Sequence, residues 1–186
     1  MGPELLTLAC WVIFVLYWLV SAFSSKAAAE RQSRRDMLAH RLPTYAGCVL
    51  LFAPRADPWG VHLLARPYAM RWAGAALCVV GLVGALASRK ILAGNWSANV
   101  EFKKEHQLVE RGPYRFVRHP IYSSLLLMCF GAALVTNRLV PLLSLALIFI
   151  GFLIKLRQEE RLLRRHFPEQ YPAYQRRTKM LIPFVC

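Results

Sequence analysis

The sequence has few acidic residues and none of the short motifs that equip common soluble enzymes. Asp and Glu number 10 against 24 Lys and Arg, which gives a formal net charge of +14 at pH 7. There is no glycine-rich phosphate loop, no Gly-x-Ser-x-Gly turn and no His-Glu-x-x-His pair. ATP hydrolysis, serine hydrolysis and zinc proteolysis therefore lack the residues that they usually need.

The cysteines also lack the spacing of a functional set. They are far apart, and four of them fall in apolar segments: Cys10, Cys48, Cys78, Cys129 and Cys186. This spacing matches neither a disulfide framework nor a metal-binding motif, so we expect no metal site. We interpret the cysteines as small residues of an apolar core.

What the sequence has in abundance is apolar residues, which make up 56% of the chain. Most of five apolar segments approach the roughly 17–25 residues that a helix needs to cross a bilayer. The segments are 5–23, 43–53 or 43–65, 72–88, 120–136 and 139–154. The second is short and is followed by Arg55 and Asp57. The sequence thus predicts an all-α integral membrane bundle of about five transmembrane helices, in a single domain spanning residues 1–186.

The positions of the basic residues predict the orientation of this bundle. With five crossings, residues 24–42, 89–119 and 155–186 share one side and carry 20 of the 24 Lys and Arg. Positive loops favour the cytoplasm. We expect a multi-pass protein with its N-terminus outside and its C-terminus inside, where the basic surface attracts anionic membrane lipids. Because topology explains the charge, we expect no nucleic-acid partner. The first segment has Glu4 and no basic residue before it, so we expect a retained helix rather than a cleaved signal.

A short connection brings distant polar residues together. Only Asn137 and Arg138 separate the fourth and fifth segments, which predicts an antiparallel helical hairpin. The start of the fourth helix and the end of the fifth then lie on the same membrane face. Beyond Leu156 the chain is predicted to continue as a cytoplasmic amphipathic helix that ends before Pro168.

Residues at the start of the fourth helix suit the binding of an anion. Pro120 fits the first helical turn, and His119 before it is biased to an extended conformation. The free N–H groups of that turn attract negative charge, and Arg118 adds a cation. In the alternative interpretation, Arg118 contacts lipid phosphate and His119 only caps the helix.

Two adjacent glutamates lie where the fifth helix returns to this face. Lys155 stands four residues before Glu159, on the same helical side. Glu159 and Glu160 could hold a ligand beside His119, or could be satisfied by the surrounding arginines. We interpret His40, His62 and His166 as surface or interface residues, because no partner converges on them in the sequence, and Trp96 as an interfacial aromatic residue.

Several of these segments together resemble the isoprenylcysteine carboxyl methyltransferase family. They are His106-x-Leu108-Val109, Gly112-x-Tyr114, Arg118-His119-Pro120-x-Tyr122 and Glu159-Glu160. The resemblance covers about residues 94–183, and the related phospholipid methyltransferases share this half. It implies a membrane enzyme that uses S-adenosylmethionine at the cytoplasmic interface to methylate a lipophilic acceptor. The lead acceptor is the carboxylate of a prenylated cysteine or an analogue.

The resemblance also implies roles for individual residues. Residues 91–186 would form the cofactor-binding and catalytic half, and residues 1–90 a helical scaffold. The implied cofactor contacts are Glu101, His106, Gln107, Leu108, Val109, Tyr114, His119, Pro120, Ile121, Tyr122 and Glu159. The implied catalytic residues are Glu159, His119 and Arg118. The family's substrate-contacting Arg aligns with Lys155, which lacks the bidentate fork of a guanidinium. With Arg157 two positions later, Lys155 is expected to bind the substrate.

The absence of a hydrolase motif agrees with methyl transfer, because the methyl group of a sulfonium is already activated and the protein need not supply a nucleophile. A carboxylate acceptor is ionised at neutral pH and needs no base, so alignment and exclusion of water would suffice. A phospholipid amine or a small thiol would need a base, for which Glu159, Glu160 and His119 are candidates. The sequence also leaves open an NADPH-dependent sterol-type reductase and a non-enzymatic membrane protein.

Overall fold

The protein forms a bundle of helices with a small antiparallel ribbon at one end. The computed structural model describes residues 1–23, 28–31, 33–52, 68–93, 96, 100–103 and 108–182. Within these ranges the α-helices are α1 (Pro3–Ala22), α2 (Arg34–Phe52), α3 (Tyr68–Leu92), α4 (Pro120–Thr136), α5 (Leu139–His166) and α6 (Gln170–Arg177). Strands β1 (Ala28–Arg31) and β2 (Glu101–Lys103) pair antiparallel, and a short 3-10 helix covers Gly112–Arg115. The predicted helical bundle is therefore present, and the ribbon is an addition that apolar segments do not reveal.

Three helices are long and apolar enough to cross a membrane: α1, α3 and α5. Helix α4 is apolar but has 17 residues, which at about 1.5 Å per residue is somewhat shorter than the hydrocarbon core. Helix α5 has 28 residues and would reach about 42 Å, well beyond that core. Its apolar part ends near Ile154, so its last turns carry the charged residues out of the apolar layer.

Helix α2 differs most from its predicted boundaries. It begins at Arg34 rather than at Pro43, which lies inside it. The side chain of Ser33 explains this start, because its Oγ accepts the backbone N–H of Asp36 and donates to the Asp36 carboxylate. The bond to Ser33 satisfies one of the N–H groups that a first helical turn otherwise leaves unpaired. Residues 34–42, predicted as part of the loop 24–42, are thus helical.

Close approach of small residues holds the helices in pairs. Helix α4 packs mainly on α3, and α5 packs mainly on α2. A Cβ atom at Gly74 would lie 2.6 Å from the carbonyl oxygen of Gly131, and one at Gly47 would lie 2.9 Å from the carbonyl oxygen of Ser144. Contacts between small residues are a common means of packing helices in membranes. The prediction for the cysteines is confirmed for Cys10, Cys78 and Cys129, which are buried, and Cys48 is half-buried. Cys186 lies outside the described residues.

The predicted hairpin between α4 and α5 is confirmed. Asn137 adopts a left-handed conformation (φ 53°), and its N–H donates to the carbonyl of Ala133, which ends α4. Arg138 is extended, and α5 begins at Leu139. The start of α4 therefore lies at the same end of the bundle as the last turns of α5. As predicted, α5 ends before Pro168.

We predict that Gly74→Leu lowers the thermal stability of the protein in detergent. The new side chain would meet the backbone of Gly131, and overpacking of this kind typically costs about 1–3 kcal/mol. The matched control is Ala73→Leu on the exposed side of the same helix, which should leave the melting temperature nearly unchanged. Equal melting temperatures for the two variants would contradict the proposed packing of α3 on α4.

Candidate active site

The loop before α4 is fixed by the segment that follows α6. The backbone N–H groups of Arg118 and His119 donate to the carbonyls of Lys179 (2.8 Å) and Met180 (3.1 Å). His119 is the N-terminal cap residue of α4 but makes no side-chain capping bond. Its ring is therefore available for contacts with α5, which the capping interpretation does not include.

The carboxylate of Glu160 is buried in a network with donors from three parts of the chain. It accepts hydrogen bonds from Arg118 Nε (2.7 Å) and Gln175 Nε2 (2.6 Å), and it lies 3.3 Å from His119 Nε2. The residue is 5% exposed. These donors and the guanidinium charge favour the ionised carboxylate. We name these four residues, Arg118, His119, Glu160 and Gln175, the Glu160 network.

Arg118 is occupied within this network. Besides Glu160, its Nη1 donates to the backbone carbonyl of Thr178 at 2.5 Å, and the side chain is 10% exposed. The predicted role of Arg118 as a cation for an external anion or for lipid phosphate thus gives way to a structural role. It holds the C-terminal segment against α5.

Glu159 faces a different group of residues. Its Oε1 accepts the hydroxyl of Tyr122 at 2.9 Å and lies 3.8 Å from Lys155 Nζ. Its Oε2 lies 3.7 Å from His119 Nδ1, and its side chain is 21% exposed. His119 therefore stands between the two glutamates, with Nε2 towards Glu160 and Nδ1 towards Glu159. The structure brings together His119, Tyr122, Lys155 and Glu159, four of the residues predicted from the sequence.

A cavity of about 240 Å³ opens beside this cluster and is lined by residues of α1, α2, α4 and α5. Aromatic and aliphatic side chains form its apolar wall: Trp18, Ile121, Leu125 and Phe152. Polar side chains also line it: His40, Arg41, Tyr122 and Lys155. Tyr122 belongs both to the cavity wall and to the contacts of Glu159. A molecule with an apolar body and a polar head would fit such a lining.

Of the remaining predicted cofactor residues, two lie at the start of α4. Pro120 and Ile121 are buried in its first turn, and Leu108 and Val109 are half-buried. His106 and Gln107 lie outside the described residues, and Glu101 is described only as part of β2.

Tyr114 is buried between α3 and α6 rather than at the cavity. Its hydroxyl lies 3.5 Å from the carbonyl of Ser88, and its own carbonyl accepts the hydroxyl of Tyr174 at 2.6 Å. Burial raises the pKa of both phenols, so that both stay protonated as hydrogen-bond donors. The described contacts of Tyr114 are therefore structural.

One prediction from the sequence is corrected, and one predicted residue lies apart from its expected neighbour. His40 is not a surface residue: it is 4% exposed, and its Nδ1 lies 3.0 Å from Gln158 Oε1 and 3.1 Å from the carbonyl of Asp36. Arg157, predicted to bind substrate beside Lys155, is exposed. Residues two positions apart on a helix are separated by about 200° around its axis, so Arg157 points away from the side that Lys155 occupies.

Gln158 and Gln175 are functional neighbours of the site that the sequence does not predict. Both bind through amide groups, and a glutamine in a polar helix gives no sign of a distant partner. Recognising Ser33 as the start of α2 could have revealed His40. It puts His40 and Thr44 inside a helix, where residues four positions apart share one side, and that side faces another helix.

Comparison with known proteins identifies the class of the protein. The phospholipid methyltransferase family model matches residues 69–170, from α3 to the first residue of α6. Because this is more than half of the chain, the protein belongs to that family. Together with three apolar helices long enough to cross a bilayer, this makes it an integral membrane protein of a methyltransferase family.

Individual relatives extend this result. The chain is 33% identical over 114 residues to the nickel-cobalt-cadmium resistance protein NccN of Alcaligenes xylosoxydans xylosoxydans, over 60% of this chain and 52% of that protein. It is also 30% identical over 84 residues to protein-S-isoprenylcysteine O-methyltransferase B of Arabidopsis thaliana, over 45% of this chain and 43% of that protein. The resemblance seen in the sequence is thereby confirmed. The chain spans about half the length of the curated relatives it matches.

We predict that Glu160→Gln destabilises the folded protein. The substitution leaves the guanidinium of Arg118 buried without its carboxylate, and breaking a buried ion pair in this way typically costs about 3–5 kcal/mol. Thermal unfolding in detergent measures the effect. Glu169→Gln, at an exposed position, is the control and should melt as the unmodified protein does. If both variants melt alike, the Glu160 network does not hold the C-terminal segment.

Proposed function

We propose that the protein transfers the methyl group of S-adenosylmethionine to a lipophilic acceptor at the cytoplasmic membrane interface. The main support is that Glu159 contacts His119 and accepts the hydroxyl of Tyr122, and that Tyr122 lines a cavity with an apolar wall. Membership of the phospholipid methyltransferase family supports the reaction class. In the proposed topology the N-terminus is outside, and the C-terminus and this end of the bundle face the cytoplasm.

The described residues fit such a cofactor. Its sulfonium and ammonium are cations and its ribose offers hydroxyl donors, all of which suit the partly exposed carboxylate of Glu159. We propose that Glu101, His106, Gln107, Leu108, Val109, Pro120 and Ile121 complete the site. All of them lie in residues 91–186, the proposed cofactor-binding half of a single domain of residues 1–186. Helices α1 and α2 belong to the proposed scaffold half, but they also line the cavity.

The bound cofactor supplies an activated methyl group, and the residues of the chain bind, orient and exclude water. The apolar wall keeps water from an acceptor in the cavity, which strengthens electrostatic contacts there. Fixing the acceptor beside the cofactor converts a reaction between separate molecules into one within a complex. Glu159 and His119 would orient the cofactor through hydrogen bonds. Arg118 would act by holding His119 and Glu160 in place.

The lead acceptor is the carboxylate of a prenylated cysteine or an analogue. The name of the Arabidopsis relative supports this choice, and so do the cations of Lys155 and Arg41 on the cavity wall. A carboxylate is already ionised at neutral pH, so it needs no base. Lys155 offers a point charge instead of a bidentate fork, which favours recognition of charge over recognition of carboxylate shape.

Incubation of the purified protein in detergent with methyl-labelled S-adenosylmethionine tests this proposal. We expect label in at least one of a set of lipophilic carboxylates, thiols and aminolipids, and no label after boiling. In a parallel melting experiment, S-adenosylmethionine should stabilise the protein and NADPH should not. Stabilisation by NADPH alone would contradict the proposal and favour a reductase.

We predict that Glu159→Gln and His119→Ala weaken the binding of S-adenosylmethionine about ten- to a hundred-fold. Each removes a hydrogen bond to a charged group, which is worth about 1.5–3 kcal/mol. Calorimetric titration measures the affinities, and melting temperatures show whether each variant is folded. The exposed Glu169→Gln is the matched control and should bind as the unmodified protein does. Unchanged affinity in both site variants would place the cofactor elsewhere.

A further inference from the structure

His40 has an orientation that determines which of its ring nitrogens carries hydrogen. Two oxygens lie near Nδ1: Gln158 Oε1 at 3.0 Å and the carbonyl of Asp36 at 3.1 Å. The amide of Gln158 is itself oriented, because its Nε2 donates to the same Asp36 carbonyl at 3.0 Å. Since both neighbours of Nδ1 accept hydrogen bonds, Nδ1 carries the hydrogen. In the neutral ring Nε2 then holds an unshared electron pair.

This second nitrogen belongs to a residue that lines the cavity. His40 shares the lining with Tyr122 from α4 and with Phe152 and Lys155 from α5. Within the part of the chain that the structure describes, Nε2 has no hydrogen-bond partner, whereas Nδ1 has two. Helix α2 also lies outside residues 69–170, the part that matches the family. Family membership therefore assigns His40 no role.

The surroundings of His40 keep its ring neutral. Burial lowers the pKa of His40, and the positive charge of Lys155 lowers it further. The hydrogen bonds with Gln158 and Asp36 and the negative charge of Glu159 act in the opposite direction but do not cancel the decrease. With a pKa below the ordinary value of about 6.5, the ring is unprotonated at neutral pH. Such a histidine is a base in the state that can accept a proton.

We propose that His40 is a general base in this cavity and that the protein also methylates lipophilic thiols. The inference rests on the proposed methyltransferase function and adds a second class of acceptor to it. The acceptor's S–H proton passes to Nε2 of His40, and the acceptor's sulfur forms a bond to the methyl carbon. The bond between that carbon and the sulfonium breaks, and its electron pair stays on the cofactor's sulfur. The products are a methyl thioether, the neutral cofactor product and a protonated His40, which returns its proton to water.

The charges of the cavity select a thiol over an amine or a carboxylate as the acceptor that uses this base. Lys155 and Arg41 line the same cavity, and cations stabilise a developing thiolate. They would repel an ammonium group, which is how a lipid amine arrives at neutral pH. A carboxylate would bind beside these cations but has no proton for His40 to remove.

His40→Asn separates a catalytic role of His40 from a structural one. The amide N–H of asparagine can replace Nδ1–H as the donor to Gln158 and Asp36, whereas nothing in asparagine replaces Nε2. We expect the variant to keep its melting temperature and its methylation of dodecanoate. Its kcat for dodecanethiol should fall about 10²- to 10⁴-fold, the usual contribution of a general base. The matched control, His166→Asn at an exposed position, should leave both activities unchanged.

Each outcome of this comparison is informative. Equal losses for the two acceptors, or unchanged kcat for dodecanethiol, would overturn the role of His40. Methylation of dodecanoate but not of dodecanethiol by the unmodified protein would overturn the thiol inference and leave the methyltransferase function intact. Absence of both cofactor binding and transfer to any acceptor would contradict the proposed function itself.

Nitrogen NMR of ¹⁵N-histidine-labelled protein, without cofactor, gives an independent measurement. The signals of His40 are those that disappear in His40→Asn. At pH 7 we expect Nδ1 with hydrogen and Nε2 without it, and addition of dodecanethiol should shift the Nε2 signal. The ring should gain its second hydrogen only at a pH below about 6.5. A ring that carries hydrogen on Nε2 at pH 7 would overturn the proposal.

Discussion

A single buried carboxylate, that of Glu160, joins parts of the chain that are far apart in sequence. It accepts hydrogen bonds from Arg118 before α4 and from Gln175 in α6, and it lies beside His119. Without these partners a buried charge on α5 would be costly. Because the same carboxylate faces Nε2 of His119, it directs Nδ1 towards Glu159. The orientation of His119, a candidate cofactor residue, thus depends on a carboxylate that need not touch the cofactor itself.

The topology places this network beside the cavity. The Asn137–Arg138 turn returns α5 to the level where α4 begins, and α2 packs along α5 so that His40 meets Gln158. Tyr122 connects Glu159 with the cavity, since its hydroxyl donates to the Glu159 carboxylate while the residue lines the cavity. A polar cofactor and an apolar acceptor could therefore approach one another across one side chain. In the proposed reaction this arrangement makes a protein nucleophile unnecessary.

The sequence predicted those features that local signals determine. The bounds of α4 were correct because Pro120 starts the helix and its apolar run ends at Asn137, and the short turn correctly brought His119 towards Glu159. Features that depend on distant partners were missed. His40 looked isolated because Gln158 is 118 residues away, and Arg118 looked available because Gln175 and Thr178 bind it only after folding. Hydropathy placed the start of α2 too late, because the Ser33–Asp36 cap lies in a polar stretch.

A structure of the protein with S-adenosylmethionine bound is the most direct test of the central claim, that the cluster beside α4 and α5 is a methyl-transfer site. We expect the cofactor within hydrogen-bonding distance of Glu159 and His119, with its transferable methyl group directed past Tyr122 into the cavity. The Glu160 network should be unchanged by binding. A cofactor bound at the opposite end of the bundle, or bound at this end with its methyl group directed away from the cavity, would contradict the claim.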